Sequence, residues 1–248
     1  WFEASYTIAD FTCLASSDYD ISERLSNILK ALSLLNPSVF DSQKSYEIST
    51  QLDFDRQFGL GSSSTLIYNL SLWAKVDPFK LLQNTFGGSG YDLACAGAKK
   101  PIIYQLIKGE SKWENVNFNP PFQDKLYLLY LGKKQNSREG IKRYKEQPTP
   151  AQSLVDEISA ISKAFCEVSE QAAFEKLIQQ HESIISTTLK LPKVKDVYFK
   201  DFPAQAKSLG AWGGDFILLS YSGSWKALKT YTQNLGMENL FPYKSLVL

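Results

Sequence analysis

The feature that most constrains this chain is a glycine-containing loop that runs directly into an apolar segment. The loop is Phe58 to Ser64 (FGLGSSS), and Leu66, Leu70 and Trp73 follow at helical spacing. A phosphate group needs several N–H donors that converge on it. Glycine lets the backbone approach closely, and the first turn of a helix leaves N–H groups unpaired. The segment therefore predicts either an anion site or a tight turn whose serines cap the helix.

Two common nucleotide-binding motifs are excluded for this loop. Ser64 stands where the third glycine of GxGxxG would fall, and the chain has no GxxxxGK[ST] segment. The hydroxyls of Ser62, Ser63 and Ser64 keep three possible roles, which are helix capping, phosphate binding and Mg²⁺ ligation.

Two further glycine clusters follow along the chain. GGSGYD (87–92) precedes LACA, so Asp92 is either a helix N-cap or a carboxylate able to orient or deprotonate a hydroxyl. GAWGGD (210–215) precedes the apolar segment FILLSY. Taken alone, this third cluster is typical of a turn before a strand.

The remaining pattern predicts an α+β fold in which helices pack against mostly antiparallel sheets. A first helix is expected to start at Asp20 or Ser22 and to end at Asn36-Pro37. The proline-bearing NFNPPF segment predicts a boundary between domains 1–122 and 123–248. Alternating residues predict strands over 1–12 and 45–54, and the segments 101–107, 125–132 and 242–248 are also predicted to be strands.

Charge and composition narrow the class of partner. The formal net charge of +1 leaves no electrostatic footprint for nucleic acid or an anionic membrane, and no run of eighteen apolar residues occurs. Cys13, Cys95 and Cys166 form no CxxC pair and are expected to be small buried side chains in a reducing compartment, which predicts a cytoplasmic protein. The chain starts without Met in a strand-like segment, so we expect preceding residues in the full protein.

The three glycine segments, taken in order, resemble the motifs of the GHMP small-molecule kinases, and most of all those of mevalonate and phosphomevalonate kinases. GLGSSST is similar to the family's PxxxGLGSSAA, with Asp55 in place of the proline and Ser64-Thr65 in place of the alanines. GSGYD resembles the family's GSGxD, and GAWGGD resembles GAGGGD with Trp212 as a departure.

The resemblance implies an N-terminal domain of the ribosomal-protein-S5 type and a ferredoxin-like C-terminal domain. It also implies an ATP- and Mg²⁺-dependent kinase for a small carboxylated alcohol, such as mevalonate or phosphomevalonate, and allows a homodimer. The implied ATP phosphate-binding residues are Gly59, Leu60, Gly61, Ser62, Ser63 and Ser64, with Ser63 also on Mg²⁺. Asp92 is the implied catalytic residue, and the implied substrate and third-motif residues are Ser89, Gly90, Gly210, Ala211, Trp212, Gly213 and Gly214.

Two departures keep other functions open. Leu81 stands where mevalonate kinases carry a Mg²⁺-binding Glu, and the family's N-terminal Lys would precede Trp1. The alternatives are a GHMP kinase for homoserine or a sugar, a diphosphomevalonate decarboxylase of the same fold, and a non-catalytic ligand-binding protein.

Several other residues have plainer interpretations. His181 falls on the apolar stripe of a predicted helix and is expected to pack there. Lys207 is a candidate contact for an anionic substrate, whereas Tyr91 and Tyr104 are expected to be packing residues. The basic run Lys133, Lys134, Arg138, Lys142 and Arg143 is expected to be a solvated helix face.

Overall fold

The computed structural model describes residues 1–133, 137–212 and 214–247. The chain forms two compact units. Unit 1 contains Trp1–Asp53 and Gly61–Asn115, and unit 2 contains Phe54–Leu60 and Val116–Leu248. The phosphate-loop candidate is thus divided, with Gly59 and Leu60 in unit 2 and the residues from Gly61 onward in unit 1. The linear domain limits 1–122 and 123–248 stay a prediction.

Unit 1 consists of four helices and two antiparallel hairpins. Strand β1 pairs with β2, and β3 pairs with β4. The elements in chain order are β1 Ala4–Tyr6, β2 Cys13–Ser16, α1 Tyr19–Leu35, α2 Ser62–Ala74, α3 Pro78–Gln83, α4 Tyr91–Gly97, β3 Ile102–Ile107 and β4 Glu110–Asn115. Their shared core includes Ile28, Leu32, Ile67, Leu81 and Leu93.

The first helix begins earlier than its sequence predicts. Asp18, rather than Asp20 or Ser22, is the N-cap, because its carboxylate accepts a hydrogen bond of 3.1 Å from the N–H of Ile21. Asn36 ends the helix as predicted.

The predicted strand over 45–54 is wrong, because none of its residues pairs with another strand in the described part of the chain. Alternating side chains form a strand only when the backbone finds a partner. Here the ring of Tyr46 instead packs against Phe40 (5.5 Å) and Trp73 (6.3 Å). The strand predicted over 1–12 is likewise reduced to β1.

Unit 2 is built on a four-stranded antiparallel sheet in the order β6-β7-β5-β8. Its elements in chain order are β5 Leu126–Tyr130, α5 Ser137–Lys145, α6 Gln152–Glu167, α7 Gln171–Leu189, α8 Val194–Tyr198, β6 Gln205–Ser208, β7 Phe216–Ser220, α9 Trp225–Asn234, β8 Leu240–Pro242 and α10 Tyr243–Leu246. The predicted final strand over 242–248 is wrong, since β8 ends at Pro242, whose nitrogen has no hydrogen to donate to a ladder. Every described strand pair is antiparallel, which agrees with the α+β prediction.

Strand β5 is buried along its whole length, because both faces of the sheet are covered. Tyr127 and Leu129 point into one core cluster together with residues of α8 and α9. Leu126, Leu128 and Tyr130 point into the opposite cluster, which contains Phe174 and Ile178 of α7. A strand covered on both faces is typically a continuous apolar run, as LYLLY is.

Two smaller predictions concern exposure. Cys13 and Cys166 are partly buried and Cys95 is exposed, so the prediction of three buried thiols is wrong. Within the described residues, no helix is both long and apolar enough to cross a membrane.

Lys142 and Arg143 are exposed on α5, as expected for a solvated face, while Lys134 and the Arg138 side chain lie outside the described part.

A polar seam lies between α7 and β6. Glu182 is only 5% exposed, and its Oε2 accepts a hydrogen bond of 3.2 Å from the Ser208 hydroxyl. Its Oε1 lies 3.6 Å from Nδ1 of His181, and neither atom has a hydrogen-bond partner in the described chain. Burial lowers the pKa of Lys207, and the nearby charge of Glu182 partly opposes this shift. The seam therefore combines a desolvated cation with a buried carboxylate.

We expect Glu182→Gln to lower the free energy of unfolding more in the presence of Lys207 than in a Lys207→Met background. The carboxylate offsets the desolvation of the ammonium group, and that benefit disappears with the cation. Urea denaturation of the four proteins in this double-mutant cycle should give a coupling energy of about 0.5–3 kcal/mol. A coupling energy of zero would contradict this account of the seam.

Candidate functional site

The upstream half of the first glycine loop is anchored in unit 2. Asp55 caps a short 3₁₀ turn, Arg56–Phe58, through a hydrogen bond of 2.8 Å from the N–H of Gln57. The hydroxyl of Tyr130 donates a hydrogen bond of 3.0 Å to the carbonyl oxygen of Gln57. Tyr130 is the last residue of the buried strand β5, so this bond ties the turn to the most protected part of the sheet.

Aromatic packing reinforces that anchor. The ring of Phe58 lies 4.9 Å from the ring of Tyr130 and 5.5 Å from that of Phe216. Gly59 follows in the left-handed conformation, with φ of +68°. The apolar side chain before the glycine thus holds the chain while the glycine turns it.

The third glycine cluster connects β6 to β7 in the same unit. Its last residue, Asp215, donates from its N–H to the carbonyl of Lys133 and accepts from the N–H of Leu131, both at 2.8 Å. Trp212 and Asp215 have positive φ values of 57° and 53°. Residues other than glycine rarely adopt this left-handed backbone conformation, which costs about 1–2 kcal/mol for each residue. The departure at Trp212 therefore brings a strained backbone with it.

Unit 2 brings the first and third glycine clusters into contact. A Cβ atom built on Gly59 would lie 2.4 Å from Oδ1 of Asp215, so the carboxylate rests against the loop backbone. The pKa of Tyr130 is raised by burial first and then by the charges of Asp215 and Asp55. Sequence analysis did not assign a role to Asp215. The sequence signal that could have indicated such a role is the acidic residue at the end of the third motif.

Ala211 of the same cluster packs against α5. A Cβ atom on Gly140 would lie 2.6 Å from the carbonyl oxygen of Ala211, so only a glycine allows this approach. Lys207 was a candidate substrate contact, but its ammonium group donates to the carbonyl of Ser208 at 3.1 Å and its charge interacts with Glu182.

The downstream half of the first loop belongs to unit 1. Gly61 is the N-cap of α2, with φ of +78° and no side chain to cap the helix. In the described part of the chain, the hydroxyls of Ser62, Ser63 and Ser64 have no hydrogen-bond partner, and Ser63 is exposed. The interpretation of these serines as helix caps is therefore wrong. The first N–H groups of α2 and the three hydroxyls remain available to an anion.

Unit 1 also contains the second glycine cluster. Gly90 is the N-cap of α4, with φ of +80°, and Asp92 lies in the first turn. The interpretation of Asp92 as the N-cap is therefore wrong. Partial desolvation by neighbouring groups raises the pKa of Asp92, although the residue is exposed to solvent. Helix α4 packs against α2, where a Cβ atom on Gly97 would lie 2.6 Å from the ring of Tyr68.

The carbonyl of Ser89 is held by the β3–β4 hairpin. It accepts hydrogen bonds from the hydroxyls of Tyr104 and Ser111, the second at 3.2 Å. Tyr104 was predicted to be a packing residue, and its hydroxyl is instead directed at the turn before Asp92. No local sequence signal indicated this role, because the two segments are joined only by the fold.

The predicted site residues are distributed over both units. Unit 2 holds Gly59, Leu60, Gly210, Ala211, Trp212 and Gly214, whereas unit 1 holds Gly61, Ser62, Ser63, Ser64, Ser89, Gly90 and Asp92. Gly213 lies outside the described residues.

Among the described residues, no group of three or more His, Cys, Asp or Glu side chains could hold a metal by itself. Mg²⁺ commonly takes one or two protein oxygens and completes its shell with phosphate oxygens and water. The exposed hydroxyl of Ser63 could supply one such oxygen.

Several solved structures are similar to this chain, among them the two that follow. The L. major mevalonate kinase, solved in complex with R-mevalonate, is similar over 68% of this chain and 54% of its own, with 17% identity and a TM-score of 0.46. The mevalonate diphosphate decarboxylase from Enterococcus faecalis was solved in work on ATP binding mediated by mevalonate diphosphate. It is similar over 88% of this chain and 74% of its own chain, with 14% identity and a TM-score of 0.46. The chain thus spans about half the length of the first structure. A likeness at this level says nothing about activity.

No family of known proteins and no curated protein matches the sequence.

We expect Gly59→Ala to destabilise the protein more than Gly61→Ala. Both positions have positive φ, so each alanine pays about 1–2 kcal/mol of left-handed strain. Only at Gly59 does the added methyl meet another group, the Asp215 carboxylate, whereas nothing lies within 4 Å of a Cβ on Gly61. Chemical denaturation should show the difference.

The double variant Gly59→Ala, Asp215→Gly should recover part of the loss, because it removes both the clash and the positive φ of an aspartate. Equal destabilisation by the two alanines, or no recovery in the double variant, would contradict the contact between Gly59 and Asp215.

Proposed function

We propose that this protein is an ATP-dependent kinase that phosphorylates the hydroxyl of a small carboxylated alcohol, with mevalonate and phosphomevalonate as the first acceptors to test. The observation that carries the proposal is the start of α2, where a left-handed glycine cap leaves the helix N–H groups and the hydroxyls of Ser62, Ser63 and Ser64 without side-chain partners among the described residues. A phosphate chain satisfies these donors and benefits from the partial positive charge of the helix.

The proposed roles follow from the chemistry of each group. The backbone of Gly59, Leu60 and Gly61 and the serine hydroxyls bind the ATP phosphates. Ser63 contributes an oxygen to Mg²⁺, which would neutralise charge on the phosphates. No cluster of lysines is needed for binding in this scheme, because the donors are mainly backbone groups.

Asp92 acts on the acceptor. Its carboxylate accepts a hydrogen bond from the acceptor hydroxyl and orients that oxygen toward the γ-phosphorus. A new O–P bond forms, the bond between the γ-phosphorus and the bridging oxygen of ADP breaks, and the hydroxyl proton passes to Asp92. Phosphoryl transfer depends mostly on positioning and charge stabilisation, so Asp92 need not be a strong base. Its raised pKa brings it closer to the range of an effective proton acceptor.

A second candidate function has a specific observation in its favour. Leu81 occupies the position where the resemblance would place a metal-binding Glu, and it is fully buried in the core of unit 1. A non-catalytic protein that binds ATP without transferring its phosphate would have no need of that carboxylate. Under this alternative, ATP binds and no acceptor is phosphorylated. Our proposal also includes a cytoplasmic location and leaves room for a homodimer.

ADP release from Mg·ATP by the full-length protein tests the proposal. The acceptors are mevalonate, phosphomevalonate, homoserine and galactose, with Asp92→Ala and Asp92→Asn beside the wild type. Turnover of one acceptor that falls at least about 100-fold in both variants, with unchanged ATP affinity by calorimetry, would support the kinase and its acceptor. ATP binding without turnover of any acceptor would favour the non-catalytic alternative.

The raised pKa of Asp92 predicts the sign of two pH effects. If the ionised carboxylate is the active form, kcat/KM for the acceptor should fall on acidification with a midpoint above 3.8, the ordinary value for Asp. A raised pKa in the folded state also means that ionisation costs stability, so stability falls as the pH rises from 3.8 through the folded pKa.

Asp92→Asn removes that cost. Its stability relative to wild type should therefore increase from acidic to neutral pH, as thermal denaturation can measure. A variant that loses activity while gaining stability at neutral pH separates catalysis from folding. A relative stability that declines from acidic to neutral pH would contradict the raised pKa.

A further inference from the structure

We propose that Tyr104 and Ser111 are positioning residues for Asp92, acting through a hydroxyl clamp on the carbonyl of Ser89. This inference rests on the proposed function, because it assigns the clamp a consequence for phosphoryl transfer. It extends that function to residues of the β3–β4 hairpin that carry no recognisable motif.

The clamp consists of three oxygen atoms in mutual contact. The carbonyl of Ser89 accepts from the hydroxyl of Tyr104 and, at 3.2 Å, from that of Ser111. The two hydroxyls are 2.7 Å apart. Each has one hydrogen, so Ser111 donates to the carbonyl while Tyr104 donates either to the carbonyl or to Ser111. Both arrangements hold the carbonyl in one place.

The hairpin presents these groups on one face. Tyr104 pairs with Trp113 and Leu106 pairs with Ser111, so the side chains of Tyr104, Ser111 and Trp113 lie on the same side of the two strands. The hairpin therefore meets the second glycine cluster as a preformed surface.

A second contact holds the next residue of the turn. A Cβ atom on Gly90 would lie 2.8 Å from the ring of Phe79, which itself stacks on Trp113 at 5.3 Å. The glycine therefore sits directly against an aromatic ring that the hairpin supports.

The turn needs such support because its backbone is unusually free. Gly87, Gly88 and Gly90 all have positive φ, and a Cβ atom on Gly87 or Gly88 would meet nothing within 4 Å. Glycine loses more conformational entropy on ordering than any other residue. The hydrogen bonds to Ser89 fix the one non-glycine residue within this run.

Asp92 follows the clamp directly. The N–H of Tyr91 donates to the hydroxyl of Ser89 at 3.3 Å, and the ring of Tyr91 packs edge-on against that of Tyr104 at 5.6 Å. These contacts set the first turn of α4, from which the Asp92 carboxylate extends. Loss of the clamp displaces Asp92 and leaves the start of α2 intact.

Tyr104→Phe is the test variant, since it keeps the ring and removes the hydroxyl. Tyr6→Phe is the matched control, because the Tyr6 hydroxyl likewise bonds a serine carbonyl and a serine hydroxyl, both of Ser22. We expect Tyr104→Phe to lower kcat by about 10- to 100-fold, the scale of a misplaced catalytic group, with the KM for ATP within about twofold of wild type. Tyr6→Phe should leave both parameters unchanged.

Two further readouts separate positioning from general destabilisation. In an Asp92→Asn background, Tyr104→Phe should cause little additional loss of kcat, because the group that it positions is already absent. Multiplicative losses would overturn the proposal. Amide hydrogen exchange over 89–95 should accelerate by about 3- to 10-fold in Tyr104→Phe, the equivalent of one net hydrogen bond, and remain unchanged over 62–70.

The outcomes distinguish the clamp from the kinase. If the wild type turns over an acceptor, and Tyr104→Phe has an unchanged kcat and unchanged amide hydrogen exchange, the clamp alone is overturned. Faster exchange in Tyr104→Phe, in a protein that turns over no acceptor, overturns the proposed function and with it the catalytic consequence of the clamp.

Discussion

The end of strand β5 is the constraint on which the glycine clusters of unit 2 depend. The strand is buried on both faces, so its position is set by the core. From its last residue, the Tyr130 hydroxyl reaches the carbonyl of Gln57, upstream of the first glycine loop. The next residues bind Asp215 through the N–H of Leu131 and the carbonyl of Lys133. One buried strand therefore positions both the upstream half of the first cluster and the third cluster, and the Asp215 carboxylate rests against Gly59 as a result.

In unit 1, as in unit 2, a tyrosine hydroxyl holds the backbone just before a left-handed glycine. Tyr104 donates to the carbonyl of Ser89, which directly precedes the left-handed Gly90, much as Tyr130 donates to a carbonyl shortly before the left-handed Gly59. A glycine permits a turn but does not select one, because many conformations are open to it. A hydrogen bond to the preceding carbonyl removes part of that freedom. In both places the donor is a tyrosine, whose ring packs against apolar neighbours while its hydroxyl reaches the loop.

The groups proposed to meet the ligand are backbone N–H groups and serine hydroxyls. The net charge of the protein is +1. Lys207 lies just before the third cluster, and its ammonium group donates a hydrogen bond to the Ser208 carbonyl and interacts with the charge of Glu182. The start of α2 offers N–H groups and hydroxyls instead. Near the loop, burial raises the pKa of Tyr130 first, and the charges of Asp215 and Asp55 raise it further. Asp55 caps the turn before the loop, and the Asp215 carboxylate lies against Gly59.

Local sequence determined the elements whose signals are local. The apolar spacing of Leu66 and Leu70 predicted α2, the run LYLLY predicted β5, and the glycines predicted the three turns, because helix periodicity, burial and positive φ are properties of a few consecutive residues. The tertiary structure alone decided what depends on distant partners. The segment 45–54 alternates like a strand but finds no strand to pair with.

The roles of Tyr104 and Asp215 were decided in the same way. Tyr104 contacts Ser89 across fifteen residues, and Gly59 meets Asp215 from the far end of the chain. A hydrogen bond or a close approach between such residues exists only once the chain has folded, so no pattern in neighbouring residues can announce it.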